Sequence, residues 1–386
     1  MRLAAGVLSA LVLVACGQAV PVVSRSNAGT TPSASAVTPY PTPYPTPPSP
    51  AAATPSSPVT SVPRPTLAGD LPVTTVDFSC RLPVVVQNPD VLPAVQGGFI
   101  TFPAGQLAND PNGVMVAKEN GTATTVPSVL YGGGGGFYDR AVQRWVPASP
   151  AGTLPDGSAY AYVSYNGTFV AHIVNVASGD VRSFGLGSLD RPEVVDFAAG
   201  GVFLYSPSAI GGPGEGVWLM NPTTGSVTQV AAVHRVWAVR DGKAWVARLD
   251  PRDKTVWPQV EIQPADSLAQ VDLATGAETQ WFYRAGAYPW MVGLVSGRPL
   301  IAVSNVSGQT EIRLIDQPGS DGKLIYSGNL VFDGYFQNYQ GDGDRIWLGG
   351  EGGIYLYRPD LGIQRVFAYD ARSGSGRGIH PGGICL

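Results

Sequence analysis

The stretch AHIVNVASGDVRSF, residues 171–184, consists of two short runs of alternating apolar residues joined by a tight turn. The turn starts at Asn175 and ends at Gly179. An Asn or Asp side chain at the start of such a turn accepts hydrogen bonds from the turn backbone, and glycine fits the position that needs a positive φ. The stretch therefore predicts a β-hairpin with an Asx-x-x-Ser/Thr-Gly turn.

The same hairpin recurs along the chain. Two copies are clear, VWLMNPTTGSVTQV (217–230) and AQVDLATGAETQWF (269–282), and three are weaker, VMVAKENGTATTV (114–126), IRLIDQPGSDGKLIY (312–326) and IYLYRPDLGIQRVF (354–367). From Asn175 onward the turns begin 46, 51, 44 and 42 residues apart. This period is typical of the four-stranded blades of a β-propeller. The predicted fold is therefore all-β, a β-propeller of six four-stranded blades, although the length also permits seven.

The repeats resemble those of known bacterial propellers. LPDGSAYAYVS from Leu154 and IVNVASGDV from Ile173 resemble the TolB-like type, and GDRIWLGGEGGIYLYRPD from Gly343 resembles the two-component-regulator type. The resemblance implies blade geometry over most of the region after residue 75. It implies no activity and no catalytic residues, because propellers serve many unrelated functions.

Composition agrees with short strands joined by turns. The 386 residues include 49 Gly and 35 Pro but only 24 Lys and Arg and 28 Asp and Glu. Glycine and proline disfavour helices, which argues against a helical bundle. The formal net charge of −4 offers no basic surface for DNA or RNA, so we expect no nucleic-acid partner.

Residues 1–15 predict a signal peptide. Arg2 supplies a positive charge, and an apolar run too short to span a bilayer follows it. The run ends in LVAC, residues 13–16, which resembles the lipobox of bacterial lipoproteins. The resemblance implies cleavage before Cys16, lipidation of its thiol, and anchoring of an exported protein to the extracytoplasmic face of a bacterial membrane. The alternative is an ordinary secretory signal followed by an incidental cysteine.

The composition changes abruptly over residues 16–75. This segment is rich in Pro, Ser and Thr, reads VTPYPTPYPTPPSPAAATPSSP at its centre, and has no acidic residue before Asp70. Proline removes backbone donors, and a segment with so few apolar side chains cannot form a core. We therefore expect a lipid-anchored, disordered linker at 16–75 and the propeller domain at 76–386.

Cys80 and Cys385 lie at the two ends of the predicted propeller. A propeller brings its chain ends together in one blade, since an open ring would leave sheet edges and an apolar face uncovered. An exported protein also folds in an oxidising compartment. These points predict a disulfide between Cys80 and Cys385, and two free or metal-bound thiols are the alternative.

The sequence contains no recognisable motif for catalysis or metal binding. His172, His234 and His380 are far apart, with no spacing typical of zinc ligands. No G-x-S-x-G motif for a nucleophilic serine occurs. We therefore predict no catalytic residue, no metal and no cofactor.

Loops between blades are the best place for a site. In a propeller, the loops from each outer strand to the next inner strand gather on one face around the central channel. In this chain they combine aromatic side chains with Arg and Asp, which is typical of surfaces that contact proteins or carbohydrates. The candidate ligand-binding residues are Tyr138, Asp139, Arg140, Arg191, His234, Arg235, Trp237, Tyr288, Trp290, Asp333 and Tyr335. The alternative is that the aromatic side chains pack between sheets.

Two functional hypotheses follow. The first is a surface-displayed extracytoplasmic lipoprotein whose propeller binds a protein or a glycan through these loops. The second is an extracytoplasmic enzyme, a lactonase, lyase or glycan hydrolase. For the second, the carboxylates offered by the loops would have to converge, namely Asp139, Asp190, Glu193 and Asp333. The sequence favours binding and leaves enzymatic activity undecided.

Overall fold

Antiparallel β-sheets dominate the described part of the protein, for which a computed structural model was obtained. The structure describes residues 71–87, 95–113, 116–119, 122–125, 137–146, 148–165, 167–187, 189–207, 214–250, 265–305, 309–328, 340–350, 352–369 and 378–386. Within these ranges there are six larger sheets and two separate hairpins, and no helix is long and apolar enough to cross a membrane. The predicted all-β, six-bladed propeller is confirmed.

Each larger sheet is one blade, numbered in chain order. Blade 1 consists of β1 (Cys80–Gln87), β2 (Val95–Phe102), β3 (Gln106–Asn109) and β27 (Gly378–Pro381), and blade 2 of β8 (Ala159–Tyr165), β9 (Phe169–Asn175) and β10 (Val181–Gly185). Blade 3 consists of β11 (Glu193–Ala198), β12 (Gly201–Ser206), β13 (Gly216–Met220) and β14 (Val227–Ala231). Blade 4 consists of β15 (Val236–Arg240), β16 (Lys243–Arg248), β17 (Ser267–Asp272) and β18 (Glu278–Tyr283).

The remaining strands complete the ring. Blade 5 consists of β19 (Ala287–Val295), β20 (Arg298–Asn305), β21 (Thr310–Leu314) and β22 (Lys323–Gly328). Blade 6 consists of β23 (Gln340–Asp342), β24 (Arg345–Gly350), β25 (Gly353–Arg358) and β26 (Gly362–Ala368). The two hairpins pair β4 (Val116–Glu119) with β5 (Thr122–Thr125), and β6 (Phe137–Asp139) with β7 (Arg144–Val146).

The repeated turns form as the sequence predicts. Oδ1 of Asn175 accepts hydrogen bonds from two backbone N–H groups of its turn, the nearer at 2.9 Å, and Gly179 has a φ of 74°. Asn221 and Asp272 cap the equivalent turns of blades 3 and 4 in the same way. These turns join the last two strands of their blades, so a local hydrogen-bond pattern sets the period of the fold.

The copy at 114–126 is not the outer hairpin of blade 1. Within the described residues β4 and β5 pair with each other alone, and Gly121 lies outside those residues. The outer hairpin of blade 1 is β2–β3, whose turn at 103–105 ends in Gly105 with a φ of 63°. That turn lacks the Asx residue of the other copies, so the sequence pattern does not reveal it.

Blade 2 departs from the four-stranded arrangement of the other five. Its sheet has three strands among the described residues. In the place of an inner strand, a short 3-10 turn at Pro150–Gly152 leads into Thr153, which makes one antiparallel bridge to Tyr160 of β8. Ser149 caps this turn, with its Oγ accepting a hydrogen bond from the N–H of Gly152 at 3.2 Å. The innermost position of blade 2 is therefore held by a capped turn and a single bridge.

Apolar side chains between neighbouring blades form the core. One cluster joins blades 2 and 3, and others join blades 3 and 4, 4 and 5, 5 and 6, and 6 and 1. Each cluster takes side chains from both of its sheets. Because buried apolar surface contributes about 25 cal/mol per Å², these clusters stabilise the packing of blades 2 to 6 in sequence and of blade 6 on blade 1.

The β6–β7 hairpin fills the space between blades 1 and 2. Trp145 of β7 packs against Phe99 of blade 1 with ring centroids 5.8 Å apart, and Val146 joins Tyr160 of blade 2 in a small apolar cluster. Gly97 permits the first contact, because a Cβ at that position would overlap the indole of Trp145. The β6–β7 hairpin, which we call the wedge, thus packs against both blade 1 and blade 2.

The C-terminal strand closes the ring. β27 pairs with β1 in antiparallel register, with Val84 opposite Pro381. Cys80 and Cys385 form a disulfide, with Cα atoms 5.5 Å apart and a sequence separation of 305 residues. The predicted disulfide is confirmed, and both ends of the propeller are fastened into blade 1.

Residues 71–78 lie across blade 6. The backbone N–H of Thr74 donates to the carbonyl oxygen of Arg365 in β26 at 2.7 Å, and Leu71 packs against the cluster between blades 5 and 6. Phe78 meets Trp347 of β24 edge-on, with ring centroids 6.2 Å apart. The described contacts with the propeller thus begin at residue 71, five residues before residue 76; the division into linker and propeller stays a prediction.

Candidate functional site

Loops of two kinds share one face of the propeller, which we call the mouth face. They are the loops from each outer strand into the next inner strand, and the loops between the second and third strands of a blade. Neighbouring strands are antiparallel, so both kinds of loop lie at the same strand ends, and the Asx turns lie at the opposite ends. The sequence-based site prediction considered the first kind alone, and the second kind contributes as well.

His234 and Glu215 form a close pair on the mouth face. His234 lies in the loop between β14 and β15, and Glu215 immediately precedes β13. Nδ1 of His234 is 2.6 Å from Oε2 of Glu215. The imidazole side chain is 60% exposed, whereas the carboxylate side chain is 9% exposed. The pair therefore presents to solvent a histidine oriented by a nearly buried carboxylate, and it becomes an ion pair when the imidazole is protonated.

Tyr205 connects this pair to the backbone of Arg235. Its hydroxyl, near the end of β12, donates to Oε1 of Glu215 at 3.4 Å and accepts from the backbone N–H of Arg235 at 2.9 Å. Burial, followed by the negative charge of Glu215, raises the pKa of Tyr205 to about 12. The hydroxyl therefore keeps its proton at physiological pH and can donate and accept at once. Tyr205 lies outside the set of residues predicted from the sequence.

Arg191 and Arg235 have backbone conformations that are rare for residues other than glycine. Their φ angles are 43° and 52°, in the left-handed region. This conformation costs roughly 1–2 kcal/mol per residue, so other contacts must hold the two loops. Ser206 supplies such contacts to the first loop, because its Oγ accepts from the N–H of Asp190 at 3.0 Å and donates to the carbonyl oxygen of Asp190 at 2.8 Å.

Glu215 was also missed by the sequence-based prediction. It stands between Gly214 and Gly216, whose φ angles are 112° and 146°. A Cβ at Gly216 would overlap the carbonyl oxygen of Ala231, so glycine allows the loop to lie against β14 and to bring Glu215 to His234. A Gly-Glu-Gly segment just before a predicted strand is the signal that could have identified this loop.

The predicted aromatic residues of blades 4 and 5 are partly buried. Trp237 of β15 packs against the cluster between blades 4 and 5, and Trp290 of β19 against the cluster between blades 5 and 6. The rings of Tyr288 and Trp290 have centroids 5.7 Å apart. Burial raises the pKa of Tyr288, and the positive charge of Arg235 opposes that shift, so this guanidinium lies nearby. The two tryptophans pack between sheets, and Tyr288 borders the charged loops.

Tyr138, Asp139 and Arg140 lie in the β6–β7 hairpin, where the sequence predicted an inter-blade loop. The ring of Tyr138 meets Phe99 edge-on at 5.2 Å between centroids. Asp139 is 5% exposed, and its Oδ1 accepts from the backbone N–H of Ala141 at 2.8 Å. Residues 137–139 become a strand because they pair with residues 144–146. Tyr138 and Asp139 therefore stabilise the hairpin, and Arg140 is exposed in its turn.

Four further residues were singled out from the sequence, either for ligand binding or as candidate carboxylates of an enzyme. Asp333 and Tyr335 lie outside the described residues, and their role stays a prediction. Asp190 is exposed, with its Oδ2 3.4 Å from Nε of Arg191, and Glu193 is half-buried at the start of β11. The loops that lead into blades 3 to 5 share the mouth face, and the role of their side chains in binding a ligand stays a prediction.

The described residues contain no group of three or more His, Cys, Asp or Glu side chains that could hold a metal ion. Another acidic residue near the channel, Asp196 of β11, lies 3.8 Å from the guanidinium of Arg240, the last residue of β15. Burial raises the pKa of the Asp196 carboxyl, and the charge of Arg240 opposes that effect. This pair lies near the ends of the inner strands that face away from His234, so it is separate from the mouth face.

Comparisons with known proteins show no family for this chain. No family model and no curated protein matches the chain. Similar solved structures include the Pyrococcus horikoshii acylaminoacyl peptidase, at 13% identity and a TM-score of 0.35, with 53% of this chain and 36% of that chain covered. The nidogen/laminin complex matches at 8% identity and a TM-score of 0.39, with 79% of this chain and 98% of that chain covered. The extracellular domain of a one-component system from B. thetaiotaomicron matches at 14% identity and 0.39, with 75% and 40% covered.

Proposed function

We propose that this protein is an exported, lipid-anchored binding module of the bacterial cell envelope, and that its propeller contacts a protein or a glycan through the mouth face. The observation that carries the proposal is the pair of neighbouring loops that lead into blades 3 and 4. They present Arg191, His234 and Arg235 in conformations held by buried polar contacts.

The backbone of these loops supports a role in recognition. The left-handed conformations of Arg191 and Arg235 lower the free energy of unfolding, and such strain is often found at functional sites. Arginine and aromatic side chains are enriched where protein surfaces bind partners. A loop whose backbone is already held in place loses less conformational entropy on binding. The two loops therefore combine arginine side chains with a restrained backbone, as expected of a recognition surface.

Replacing Arg191 and His234 together by alanine should weaken binding at least tenfold, since truncation of an interface anchor costs about 2 kcal/mol or more. The unfolding midpoint should stay close to that of the parent, because both side chains are more than half exposed. The probes are an array of bacterial envelope glycans and a displayed peptide library, each screened with the purified protein.

The control is Lys243→Ala, which removes an exposed cation at the opposite strand ends. This variant should bind like the parent. If the Arg191/His234 double variant binds its probe as tightly as Lys243→Ala does, the recognition surface lies elsewhere on the protein.

The His234–Glu215 pair favours one alternative, an extracytoplasmic enzyme. An exposed imidazole held by a carboxylate at 2.6 Å has the geometry of a general base. A lactonase, lyase or glycan hydrolase could use it to remove a proton from substrate or water. Turnover of a lactone or glycan panel that is lost in Glu215→Gln supports the enzyme, and binding without turnover supports the binding module.

The membrane anchor rests on the lipobox-like residues 13–16. Cys16→Ala should move the protein from the membrane fraction to the soluble fraction, because the acyl chains supply the membrane affinity. Cell fractionation measures the distribution, and mass spectrometry of the N-terminal peptide detects the lipid in the parent. A variant that stays with the membrane as firmly as the parent would contradict the assignment.

A further inference from the structure

We infer that Tyr205 is a positioning residue whose hydroxyl sets the presentation of both His234 and Arg235 on the mouth face. The inference deepens the proposed function and rests on it for its consequences in binding. The effect of the Tyr205 hydroxyl on His234 can be tested without a ligand.

The hydroxyl of Tyr205 connects β12 to the His234–Glu215 pair. The hydroxyl of Tyr205 donates to Oε1 of Glu215 at 3.4 Å, and the other oxygen of that carboxylate is 2.6 Å from Nδ1 of His234. A continuous hydrogen-bonded chain therefore runs from β12 through Glu215 to the exposed imidazole. The main chain of Glu215 is held separately, because Nε2 of Gln229 donates to its carbonyl oxygen at 2.9 Å. The loop is thus fixed by its backbone, and the orientation of the carboxylate depends on Tyr205 and His234.

The same hydroxyl restrains the strained residue Arg235. Its backbone N–H donates to Tyr205 at 2.9 Å, and its carbonyl oxygen accepts from the N–H of Ala247 at 3.0 Å. Both backbone groups of a residue with a φ of 52° are therefore engaged. Removal of the hydroxyl would leave the N–H without this acceptor, which is costly for a shielded polar group. The left-handed conformation would then lose a restraint on its backbone N–H.

The effect of the Tyr205 hydroxyl can be measured separately from the effect of packing by its aromatic ring. The Tyr205 side chain is nearly buried and belongs to the apolar cluster between blades 3 and 4. Tyr205→Phe keeps that packing and removes the hydrogen bonds of the hydroxyl, including those with Glu215 and Arg235. Since the pKa of Tyr205 is raised to about 12, the hydroxyl remains a donor to Glu215 throughout the physiological range.

The adjacent residue offers a matched control. Ser206 is also buried at the end of β12, and its hydroxyl holds Asp190 in the neighbouring loop. Ser206→Ala therefore removes a buried hydroxyl from the same strand end without touching the chain from Tyr205 to His234. A general disturbance of β12 would affect His234 in both variants, whereas the positioning role affects it in Tyr205→Phe alone.

The experiment is NMR of the imidazole nitrogens in the full-length protein labelled with ¹⁵N-histidine. The chain has three histidines, so His172 and His380 serve as internal references. Tyr205→Phe should shift the ring signals of His234 and leave the other two in place, and Ser206→Ala should leave all three in place. Glu215→Gln should also shift His234. Adding Tyr205→Phe to Glu215→Gln should shift the ring signals of His234 little further, because Tyr205 acts on His234 through the carboxylate of Glu215.

Two results would overturn the inference. The first is a His234 signal that stays at the parent position in Tyr205→Phe while Glu215→Gln moves it. The second is a shift of all three histidines in Tyr205→Phe, which would show a purely structural role. Where a glycan or peptide probe has been found, Tyr205→Phe should weaken its binding about tenfold. An unchanged spectrum together with binding lost in the Arg191/His234 variant would reject this inference and keep the proposed function. If Tyr205→Phe shifts the His234 signal but the parent protein binds none of the probes, the inference is kept and the proposed function is rejected.

Discussion

Replacing both Cys80 and Cys385 by serine should lower the free energy of unfolding by up to about 5–6 kcal/mol. The disulfide joins residues separated by 305 positions, and a cross-link over so long a loop strongly restricts the unfolded chain. The two cysteines also fasten the seam where the C-terminal strand β27 completes blade 1. Urea unfolding of the parent and of the double-serine variant, followed by tryptophan fluorescence, measures the difference.

A second arm of this experiment uses the parent protein in the presence of a thiol reductant. Its unfolding midpoint should fall to that of the double-serine variant, since both lack the cross-link. A double-serine variant that unfolds at the same urea concentration as the oxidised parent would show that strand pairing alone secures the ring.

Replacing Trp347 by alanine should cost about 3–5 kcal/mol, the range for truncating a large buried aromatic residue. Trp347 is 0% exposed and lies in the cluster between blades 6 and 1. It stacks on Phe102 with ring centroids 5.6 Å apart and an interplanar angle of 24°. Phe102 stands opposite Cys80 in the β1–β2 register, so the tryptophan and the disulfide support the same seam.

Trp245 provides the matched comparison for Trp347. It occupies the third position of β16, as Trp347 does in β24, it is 2% exposed, and it packs in the cluster between blades 4 and 5. The decreases in the free energy of unfolding caused by Trp245→Ala and by loss of the disulfide should therefore be additive. The decreases caused by Trp347→Ala and by loss of the disulfide should not be additive. Equal additivity for the two tryptophans would contradict a shared role of Trp347 and the disulfide at the seam.

The seam and the recognition loops occupy different parts of the ring. The seam lies in blade 1, which packs against blade 6, and the loops with Arg191, His234 and Arg235 lead into blades 3 and 4. In a ring of six blades these two regions are opposite each other. Variants at the seam should therefore change stability and variants at the loops should change binding, with little coupling between them.

The sequence alone determined the features that depend on neighbouring residues. The turns that begin at Asn175, Asn221 and Asp272 are closed by side-chain oxygens within a few residues of the N–H groups that they accept, so their motif and period predict the blades. The disulfide was also predictable, because two cysteines remained at the two ends of a fold that must close. Lipidation of Cys16 and the linker at 16–75 rest on the sequence alone and stay predictions.

Features that depend on contacts between distant segments follow from the packing of the blades and could not be predicted from the sequence. Glu215 meets His234 because two loops end on the same face, and Tyr205 holds a residue 30 positions away in the next blade. Residues 137–139 form a strand of the wedge because aromatic packing against blade 1 and pairing with β7 override their loop-like sequence. Trp237 and Trp290 pack between the sheets because their apolar surface is removed from water there. Local hydrogen bonds can be read from a motif, whereas burial depends on which blades become neighbours.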